Sequence, residues 1–492
     1  MPIQRVYHVV TQKYLAFWTS GEVESWLKRR RPKLALKYGD DFLRHYITGD
    51  CVLSEATTMV CRDSVARSDL SRYLTMQDFV ELIMNAAKDP AKEGIWSRVM
   101  SVDSSFPAHS DLTLEQLEQI SVLRERTSDL TETLPDYRSD FALLRWLNAH
   151  DNDLDATIPK LRWALQAFLS QGIHTLDLST IDKIADAVDA VNPVVKYFPG
   201  GLMGYDRDGH LIYVQALAKV DPRSISRAGK VTDLFRCMMT DCQGVHSLIC
   251  ASERATGRKM GVSLVIDLEG FSLDLMFMPT IKIFMNLLTL LQLMYPDMSR
   301  RIYIINAPVA VNTVYHMIQP VLAKETRSKI EFLDSSWRDR LCRELGAENI
   351  LEHWGGTKRG ANPTGRIRMG GKVPDTVLIE NLRECGEYNE EDLKKLNVPA
   401  RRHSAVPVTV AEVGTRLKWW FRCDSGDIDF LIRINGQEVW PRFRTTTEFV
   451  PEFGEIACDT VGTYEIVFDN GHGKFWSKNI IFRVEIERAA AH

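Results

Sequence analysis

Two carboxylates near the middle of the chain, Asp267 and Glu269, are the side chains best placed for acid–base chemistry. They stand at the carboxyl end of a predicted strand, which is the edge where ligand sites form in α/β sheets. A general acid or base needs such a position, but in sequence neither carboxylate has a neighbouring His, Lys or glycine-rich loop. We therefore interpret both mainly as structural capping groups and predict no catalytic residue.

Two further catalytic motifs are incomplete. Ser263 stands in GVSLV, where the last position of a nucleophile elbow is Val265 and not Gly, and it lies inside a strand pattern. Residues 365–373 resemble a phosphate-binding loop, but Arg366 replaces the first glycine and Val373 lacks the hydroxyl that binds magnesium. The sequence thus gives little support to an enzyme.

One pair of residues has the spacing of metal ligands. Cys242 and His246 are four apart on a predicted helix, which puts them on one face. A structural zinc site needs a second pair, and none follows at the required spacing. We predict neither a metal nor a cofactor, and we interpret the nine cysteines as reduced thiols of a cytoplasmic protein.

Composition and hydropathy restrict the function classes further. The 492 residues carry a net charge of −4, so electrostatics do not predict nucleic-acid binding, and the N-terminal residues do not resemble a signal peptide. The most apolar run, Ile283–Tyr295, is shorter than the roughly 20 residues that span a bilayer. It predicts an amphipathic helix with one narrow polar stripe. The stripe contains Lys282, Asn286, Thr289 and Gln292.

The elements that position these residues alternate along the chain between 200 and 335. Four β-rich runs are separated by helical patterns at 231–256, about 276–294 and 309–322. The β-rich runs are HLIYVQAL (210–217), GVSLVIDLEG (261–270), RIYIINAP (301–308) and KIEFL (329–333). Nearly continuous apolar runs are typical of strands covered on both faces, so we predict an α/β fold with a mostly parallel sheet.

The regions on either side have different patterns. Residues 111–172 are helical throughout, with a capping box at Thr113 and Gln116 and a C-terminal glycine, Gly172. The glycine-rich, basic segment 355–372 predicts a linker or mobile loop. Beyond about 405, short alternating strands and the Asn435-Gly436 turn predict a small β-sandwich.

Several linked motifs resemble the CRAL-TRIO lipid-binding domain. In order, they are GGLMGYDRDGHLIYV, LVIDLEGFSL, YPDMSRRIYIINAP, TRSKIEFL and the closing motif HWGGT. The helical segment resembles the N-terminal cap of that family, and YEIVFDNGHGKFWSKNIIFRVEI resembles part of a GOLD domain. The resemblance implies a cap (106–175), a lipid-binding domain (176–358), a linker (359–400) and a GOLD domain (401–490). It does not cover the N-terminal segment (1–105), which is unassigned and which its own residues predict to be partly helical.

The resemblance also implies roles for residues. The sheet would form the floor of a pocket for one lipid, closed by a mobile gate helix. Candidates for the lipid headgroup are Thr326, Lys329 and Asp297; a basic pair that accompanies them in family members that carry phosphatidylinositol is replaced here by His150 and Asp151. Pocket candidates are Tyr213, Val265, Phe284, Leu288, Leu291, Tyr303 and Ile305. Gate-helix candidates are Val311, Val314, Ile318 and Val321.

Three functions remain open from sequence. The first is a cytoplasmic, membrane-peripheral carrier of one phospholipid or isoprenoid, with a GOLD domain that contacts a protein or a membrane. The second is an adaptor in membrane trafficking or small-GTPase signalling, and the third is a lipid hydrolase. We also expect residues 110–360 to bind lipid alone, and the basic residues of 355–372 to contact anionic membranes. Those basic residues are Lys358, Arg359, Arg366, Arg368 and Lys372.

Overall fold

The computed structural model describes residues 106–488 apart from 309–310, 379–387 and 389. For residues 273, 276, 312–314, 317 and 390 it describes the backbone alone. The helices and strands below all lie within one compact unit that begins at residue 108. The N-terminal segment that was predicted to be partly helical, 1–105, lies outside the described residues.

Short helices precede the sheet, as predicted. They are α1 Leu114–Arg126, α2 Ser128–Thr131, α3 Asp140–Asn148, α4 Leu154–Ser170 and α5 Ile181–Asp189. The capping box of α1 is confirmed, because the Gln116 N–H donates to Thr113 Oγ1 (3.2 Å) and the Thr113 N–H donates to Gln116 Oε1 (3.0 Å). Gly172 has a φ of 70° just beyond α4, which is the left-handed conformation of a helix-ending glycine.

A five-stranded sheet with the order β1-β2-β3-β4-β5 follows. Its strands are β1 Gly201–Tyr205, β2 Leu211–Gln215, β3 Val262–Asp267, β4 Ser299–Ile305 and β5 Ile330–Phe332. β1 pairs with β2 antiparallel, and the other three pairings are parallel. The predicted mostly parallel sheet is confirmed, with β1 as an additional antiparallel edge strand.

Helices connect the parallel strands, because strands that run in the same direction require crossovers. The helices in and after this region are α6 Pro222–Ala228, α7 Val231–Thr256, α8 Met278–Met294, α9 Val311–Ile318, α10 Lys324–Ser328 and α11 Trp337–Leu341. Among the helices in the described residues, none combines the length and apolar character that crossing a bilayer requires. On α8, Lys282 and Thr289 of the predicted polar stripe are exposed, whereas Ile283 and Leu287 are buried.

The C-terminal region contains two four-stranded antiparallel sheets, with the orders β10-β9-β12-β7 and β11-β8-β13-β6. Their strands are β6 Lys394–Val398, β7 His403–Val410, β8 Thr415–Cys423, β9 Asp427–Ile434, β10 Gln437–Thr446, β11 Glu452–Cys458, β12 Gly462–Asp469 and β13 Lys478–Glu487. Asn435 and Gly436 connect β9 to β10 with φ values of 53° and 79°, as a tight hairpin turn requires. Phe421, Phe430 and Phe468 fill the space between the two sheets.

The β-sandwich packs directly on the helices of the α/β region. The Trp163 indole N–H of α4 donates to Glu438 on β10 (2.9 Å), and Phe235 of α7 stacks on Phe443 at 5.3 Å between ring centroids. Buried apolar residues of both regions belong to one continuous hydrophobic cluster. Residues 110–360 therefore share their core with the sandwich. The expectation that they bind lipid alone stays a prediction.

A buried carboxylate of the sandwich also binds the first turn of α7, the longest of the described helices. Glu452 accepts a hydrogen bond from the hydroxyl of Thr232 in the first turn of α7, and its side chain is 1% exposed. Burial raises the pKa of Glu452 to about 7, opposed by the positive charge of Lys230. Lys230 in turn donates to the Phe453 carbonyl (2.7 Å) and lies over the Phe453 ring.

The interpretation of residues 355–372 as a loosely packed linker is wrong. Ile367 and Arg368 are buried, and the Arg368 backbone exchanges hydrogen bonds with Gly200 beside β1. Lys358 donates to the Met203 carbonyl (2.5 Å), and Arg366 binds Asp186 of α5. Arg359 and Lys372 are exposed. The five basic residues therefore do not form one free basic surface, because Lys358, Arg366 and Arg368 hold this segment against β1, the residue beside it and α5.

Removing the buried guanidinium of Arg368 should show that residues 355–372 are packed and contribute to stability. Arg368 binds Asp241 of α7 at 2.6 Å, and both side chains are less than 10% exposed. We expect Arg368→Ala to lower the free energy of unfolding by about 3–5 kcal/mol, because it leaves the Asp241 carboxylate buried without its cation.

Urea denaturation measures this loss, with Arg359→Ala as the matched control. Arg359 is 85% exposed and, among the described residues, pairs with the exposed Glu352, so its loss should cost less than about 1 kcal/mol. If Arg368→Ala and Arg359→Ala were equally stable, residues 355–372 would be a loosely packed linker, as the sequence predicted.

Candidate functional site

The carboxyl end of β3 joins three separate segments through Asp267. Its Oδ1 accepts from the Asn306 amide (2.8 Å) and from the Glu269 N–H (2.9 Å), and its Oδ2 accepts from the Trp354 indole N–H (3.1 Å). Asp267 is 3% exposed, so these bonds satisfy a carboxylate that burial would otherwise destabilise. This geometry matches the capping role that the sequence indicated.

The fold also brings His353 to this edge, which no sequence signal indicated. Ligand atoms of Asp267, Glu269 and His353 lie within 4.8 Å of one another. The Asp267 oxygens already accept three hydrogen bonds, and Glu269 lies 3.4 Å from Lys219 at the surface. The cluster therefore has the contacts of a structural anchor.

Substitutions of the two carboxylates in this cluster, Asp267 and Glu269, should change the free energy of unfolding by different amounts. Asp267→Ala should lower the free energy of unfolding by about 1–3 kcal/mol, because the buried Trp354 N–H loses its acceptor. Glu269→Ala changes an exposed group and should stay within about 0.5 kcal/mol of the parent. Chemical denaturation of both variants checks this, and a larger loss in Glu269→Ala would contradict it.

Cys242 and His246 do not form a metal-ligand pair in this packing. The His246 ring stacks on Tyr137 with 4.2 Å between centroids, and the nearest sulfur is that of Cys250, at 3.8 Å from Nε2. Burial lowers the pKa of His246 to about 3, so the imidazole is a neutral core group. Both residues belong to α7, which joins the cap to the sheet through the buried Arg145–Glu253 ion pair.

The two faces of the sheet differ in how completely they are covered. Side chains alternate between faces along a strand, so Val265, Tyr303 and Ile305 point to one face. There they pack with Trp337 of α11 and with Trp354 in a closed cluster. Val265 is 2% exposed, and Tyr303 and Ile305 are fully buried.

The opposite face is less completely filled. Tyr213, Leu264 and Ile266 lie in the middle of adjacent strands, yet all three are only half-buried. Leu264 and Ile266 pack with Ile302 and Ile304 of β4 in a small cluster. Side chains of these types at the centre of a helix-covered sheet are normally fully buried, so this face is covered less tightly than the other.

This arrangement corrects the predicted pocket. Val265, Tyr303 and Ile305 cannot line a space together with Phe284, Leu288 and Leu291 of α8, because the sheet separates them. Phe284 and Leu288 are half-buried and Leu291 is buried. Tyr213 lies on the same side as Phe284, beside the same hydrophobic cluster. The sequence missed Leu264, Ile266, Ile302 and Ile304, since a continuous apolar strand does not indicate which residues face which side.

The predicted gate helix covers the less filled face. Val311, its first residue, is 7% exposed and packs with Ile302 and Ile304. Ile318 is half-buried, whereas the side chain of Val314 lies outside the described residues. Val321 does not belong to the helix, since α9 ends at Ile318 and Val321 follows in a 3₁₀ turn.

Gln292 ties that turn to α8. Its amide donates to the Val321 carbonyl (3.0 Å), and its Oε1 accepts from the Ala323 N–H (3.0 Å). The segment after the gate helix is therefore attached to α8 through Gln292, one residue of the polar stripe.

The headgroup candidates meet at the amino-terminal ends of the parallel strands. The Lys329 ammonium lies 3.2 Å from Asp297, 2.5 Å from Glu325 and 2.7 Å from the Ser299 carbonyl. Asp297 also binds Lys259 at 2.5 Å. Two lysines therefore face two carboxylates, which makes the cluster close to neutral.

The environment of this cluster is largely buried. Burial by itself would raise the pKa of Asp297, but the neighbouring Lys259 and Lys329 outweigh it and hold the pKa below its ordinary value. Thr326 is half-buried in α10, one turn before Lys329. Asn148, at the end of α3, reaches Asp297 at 3.3 Å, so the loop with His150 and Asp151 begins beside this cluster.

A separate cleft of about 450 Å³ lies between the start of α7 and the sandwich. Its lining includes Arg236, Tyr388, Trp420 and Phe453. It contains none of the predicted pocket residues, because it adjoins the outer side of the sheet that contains β8 and not the five-stranded sheet.

Comparison with known proteins identifies the central region. Residues 196–356 match the CRAL/TRIO domain. This segment of the chain is therefore similar to a CRAL/TRIO domain. It includes the whole five-stranded sheet, α6 to α11, Asp267 and both polar clusters described above.

Three curated proteins resemble longer parts of the chain. Protein real-time of Drosophila melanogaster is 25% identical over 337 residues, which are 66% of this chain and 48% of that protein. Protein ctg-1 of Caenorhabditis elegans is 25% identical over 386 residues, 75% of this chain and 97% of that protein. The phosphatidylinositol/phosphatidylcholine transfer protein SFH9 of Arabidopsis thaliana is 28% identical over 281 residues, 55% of this chain and 46% of that protein. The chain thus spans about half the length of the first and third of these relatives.

Proposed function

We propose that the CRAL/TRIO domain binds one hydrophobic lipid and transfers it between membranes. The observation that supports this most directly is the half-buried group Tyr213, Leu264 and Ile266, which lies beneath helices on one face of a sheet whose other face is sealed. A lipid chain placed there would complete the burial of that face. Each buried methylene contributes about 0.8 kcal/mol, so an apolar site needs few polar contacts for affinity.

The gate is the helix α9 together with the turn that follows it. Val311 packs on the less tightly covered face, and Gln292 holds the end of the segment. Opening would detach α9 while the bonds of Gln292 act as the hinge. The candidate lining residues are Tyr213, Leu264, Ile266, Phe284, Leu288 and Leu291.

The lipid is a phospholipid or an isoprenoid-type molecule. The name of SFH9 specifies phosphatidylinositol and phosphatidylcholine as the lipids of that protein. In this chain the two carboxylates beside Lys329 compete with any phosphate for the ammonium. This competition favours a neutral lipid or a phospholipid whose headgroup does not require Lys329.

The β-sandwich is proposed to be a GOLD domain that contacts a protein or a membrane. Its motif at 464–486 and its two four-stranded sheets support this assignment. The combination of domains is similar to supernatant protein factor, also called tocopherol-associated protein. With the domain boundaries predicted above, the protein would act in the cytoplasm and visit membranes transiently.

Organic extraction of the purified protein and lipid mass spectrometry test the carrier function. One lipid per chain is the expected result. An empty protein that binds a small GTPase would instead indicate the adaptor, and turnover of a lipid ester that is lost in Asp267→Asn would indicate the hydrolase.

A substitution that fills the proposed space should displace the lipid. We expect Ile266→Trp to reduce lipid retention by about tenfold or more while changing the stability of the lipid-free protein little, because the indole enters space that protein does not occupy. Thr289→Trp on the exposed side of α8 is the matched control. If the face were already filled, Ile266→Trp would cost about 1–3 kcal/mol by overpacking, and the proposal would fail.

Lys329 should matter only for ligands with an inositol phosphate. If phosphatidylinositol binds, Lys329→Ala should weaken it by about tenfold, or 1.4 kcal/mol, and leave tocopherol or squalene binding unchanged. Lys324, exposed at the start of α10, provides the control Lys324→Ala. Titration with each lipid measures the effect, and an equal loss of every ligand would assign Lys329 to stability alone.

A further inference from the structure

Two large aromatic side chains are exposed side by side on the β-sandwich. Phe475 and Trp476, in the loop between β12 and β13, are 79% and 81% exposed. Scattered single apolar residues are common on protein surfaces, but two adjacent large rings with this accessibility are not. Their exposure suggests a partner that accepts apolar side chains.

The loop that carries these rings is held by many hydrogen bonds. The buried Asn470 amide donates to the carbonyls of Trp476 (3.0 Å) and Val398 (3.2 Å). The Arg401 N–H donates to the Asn470 carbonyl, and the Asn470 N–H donates to the Arg402 carbonyl. The loop is therefore a fixed projection, and the turn between β6 and β7 lies directly beside it.

Positive charge surrounds the two rings. Arg401, Arg402 and Lys474 are exposed, and within the residues that the structure describes none of them has an ion-pair partner. Two carboxylates on the strands that lead to this loop are paired with arginines, since Asp469 binds Arg442 at 2.5 Å and Asp429 lies 3.5 Å from Arg444. We name Phe475, Trp476, Arg401, Arg402 and Lys474 the aromatic–basic patch.

We propose that the aromatic–basic patch inserts into the surface of an anionic lipid bilayer. Aromatic rings partition into the membrane–water interface, and lysine and arginine beside them bind anionic headgroups. The inference deepens the proposed function and rests on it, because a lipid carrier has to reach a bilayer. It replaces residues 355–372, whose basic groups are largely occupied in packing, as the membrane contact.

The sandwich provides matched controls at its opposite end. β12 pairs with β7 from Gly462 opposite Val410 to Asp469 opposite His403. The exposed Val461 and Val413 therefore lie about one length of β12, or about 24 Å, from the patch.

The experiment is co-sedimentation of the full chain with phosphatidylserine/phosphatidylcholine vesicles at several salt concentrations. We expect the parent protein to bind, and we expect binding to weaken as salt screens the charges. Phe475→Ser with Trp476→Ser should weaken it by at least about tenfold, and Arg401→Ala with Arg402→Ala and Lys474→Ala by about as much at low salt. Val413→Ser with Val461→Ser should leave binding unchanged.

Thermal melting and lipid extraction of the same variants separate the outcomes. The proposal is supported if the double variant Phe475→Ser with Trp476→Ser keeps the melting temperature of the parent but loses vesicle binding. This holds whether or not the protein retains its lipid. An empty protein that still binds vesicles through the patch refutes the carrier function alone. Three results overturn the proposal and leave a protein partner as the occupant. Vesicle binding could be absent in the parent protein, unchanged in the serine double variant, or lost equally in the valine control.

Discussion

Side chains along β2, β3 and β4 point alternately to the two faces of the sheet, and the chain closes those faces in different ways. The residues that follow β5 return across one face and seal it with Trp337 and Trp354. The other face lies beneath α7, α8 and α9, and there Leu264 and Ile266 are only half-buried. An apolar ligand site on one side of the sheet depends on this difference, because an equally sealed sheet would have no room for it.

Buried polar groups hold the covering segments in place. Asp267 joins the end of β3 to Asn306 and Trp354, and Arg368 bonds to Asp241 beneath the segment that was predicted to be a linker. Each bond satisfies a charge or a donor that would be costly to bury alone. Asp267 therefore ties the sealing segment to the carboxyl end of β3, and Arg368 ties its own segment to α7.

The β-sandwich contributes to the same structural unit. Trp163, Phe235 and Thr232 of the helices contact Glu438, Phe443 and Glu452 of the sandwich. Since Glu452 is buried against the first turn of α7, the sandwich stabilises the helix that also contacts the sheet. The aromatic–basic patch lies in another part of the sandwich, in the loop between β12 and β13, where Phe475 and Trp476 are exposed. A rigid connection of this kind would let the contact with a bilayer orient the lipid-binding domain.

Local sequence determined the elements of this protein. Continuous apolar runs specified β2 to β4, the helix predicted at 231–256 has those bounds in the structure, and the capping box and Asn435-Gly436 turn formed where their residue types require. These features depend on interactions within a few residues, so the sequence contains them directly. The glycine-rich composition of residues 355–372 gave a wrong prediction of a linker. Composition indicates local flexibility, whereas Arg368 is ordered by a partner distant in sequence, Asp241. Three features were decided only by tertiary structure. They are which strand residues face which side of the sheet, the neutral cluster around Lys329, and the approach of His353 to Asp267. Each of them joins residues far apart in the chain, and no local propensity encodes which distant side chain will occupy the adjacent space.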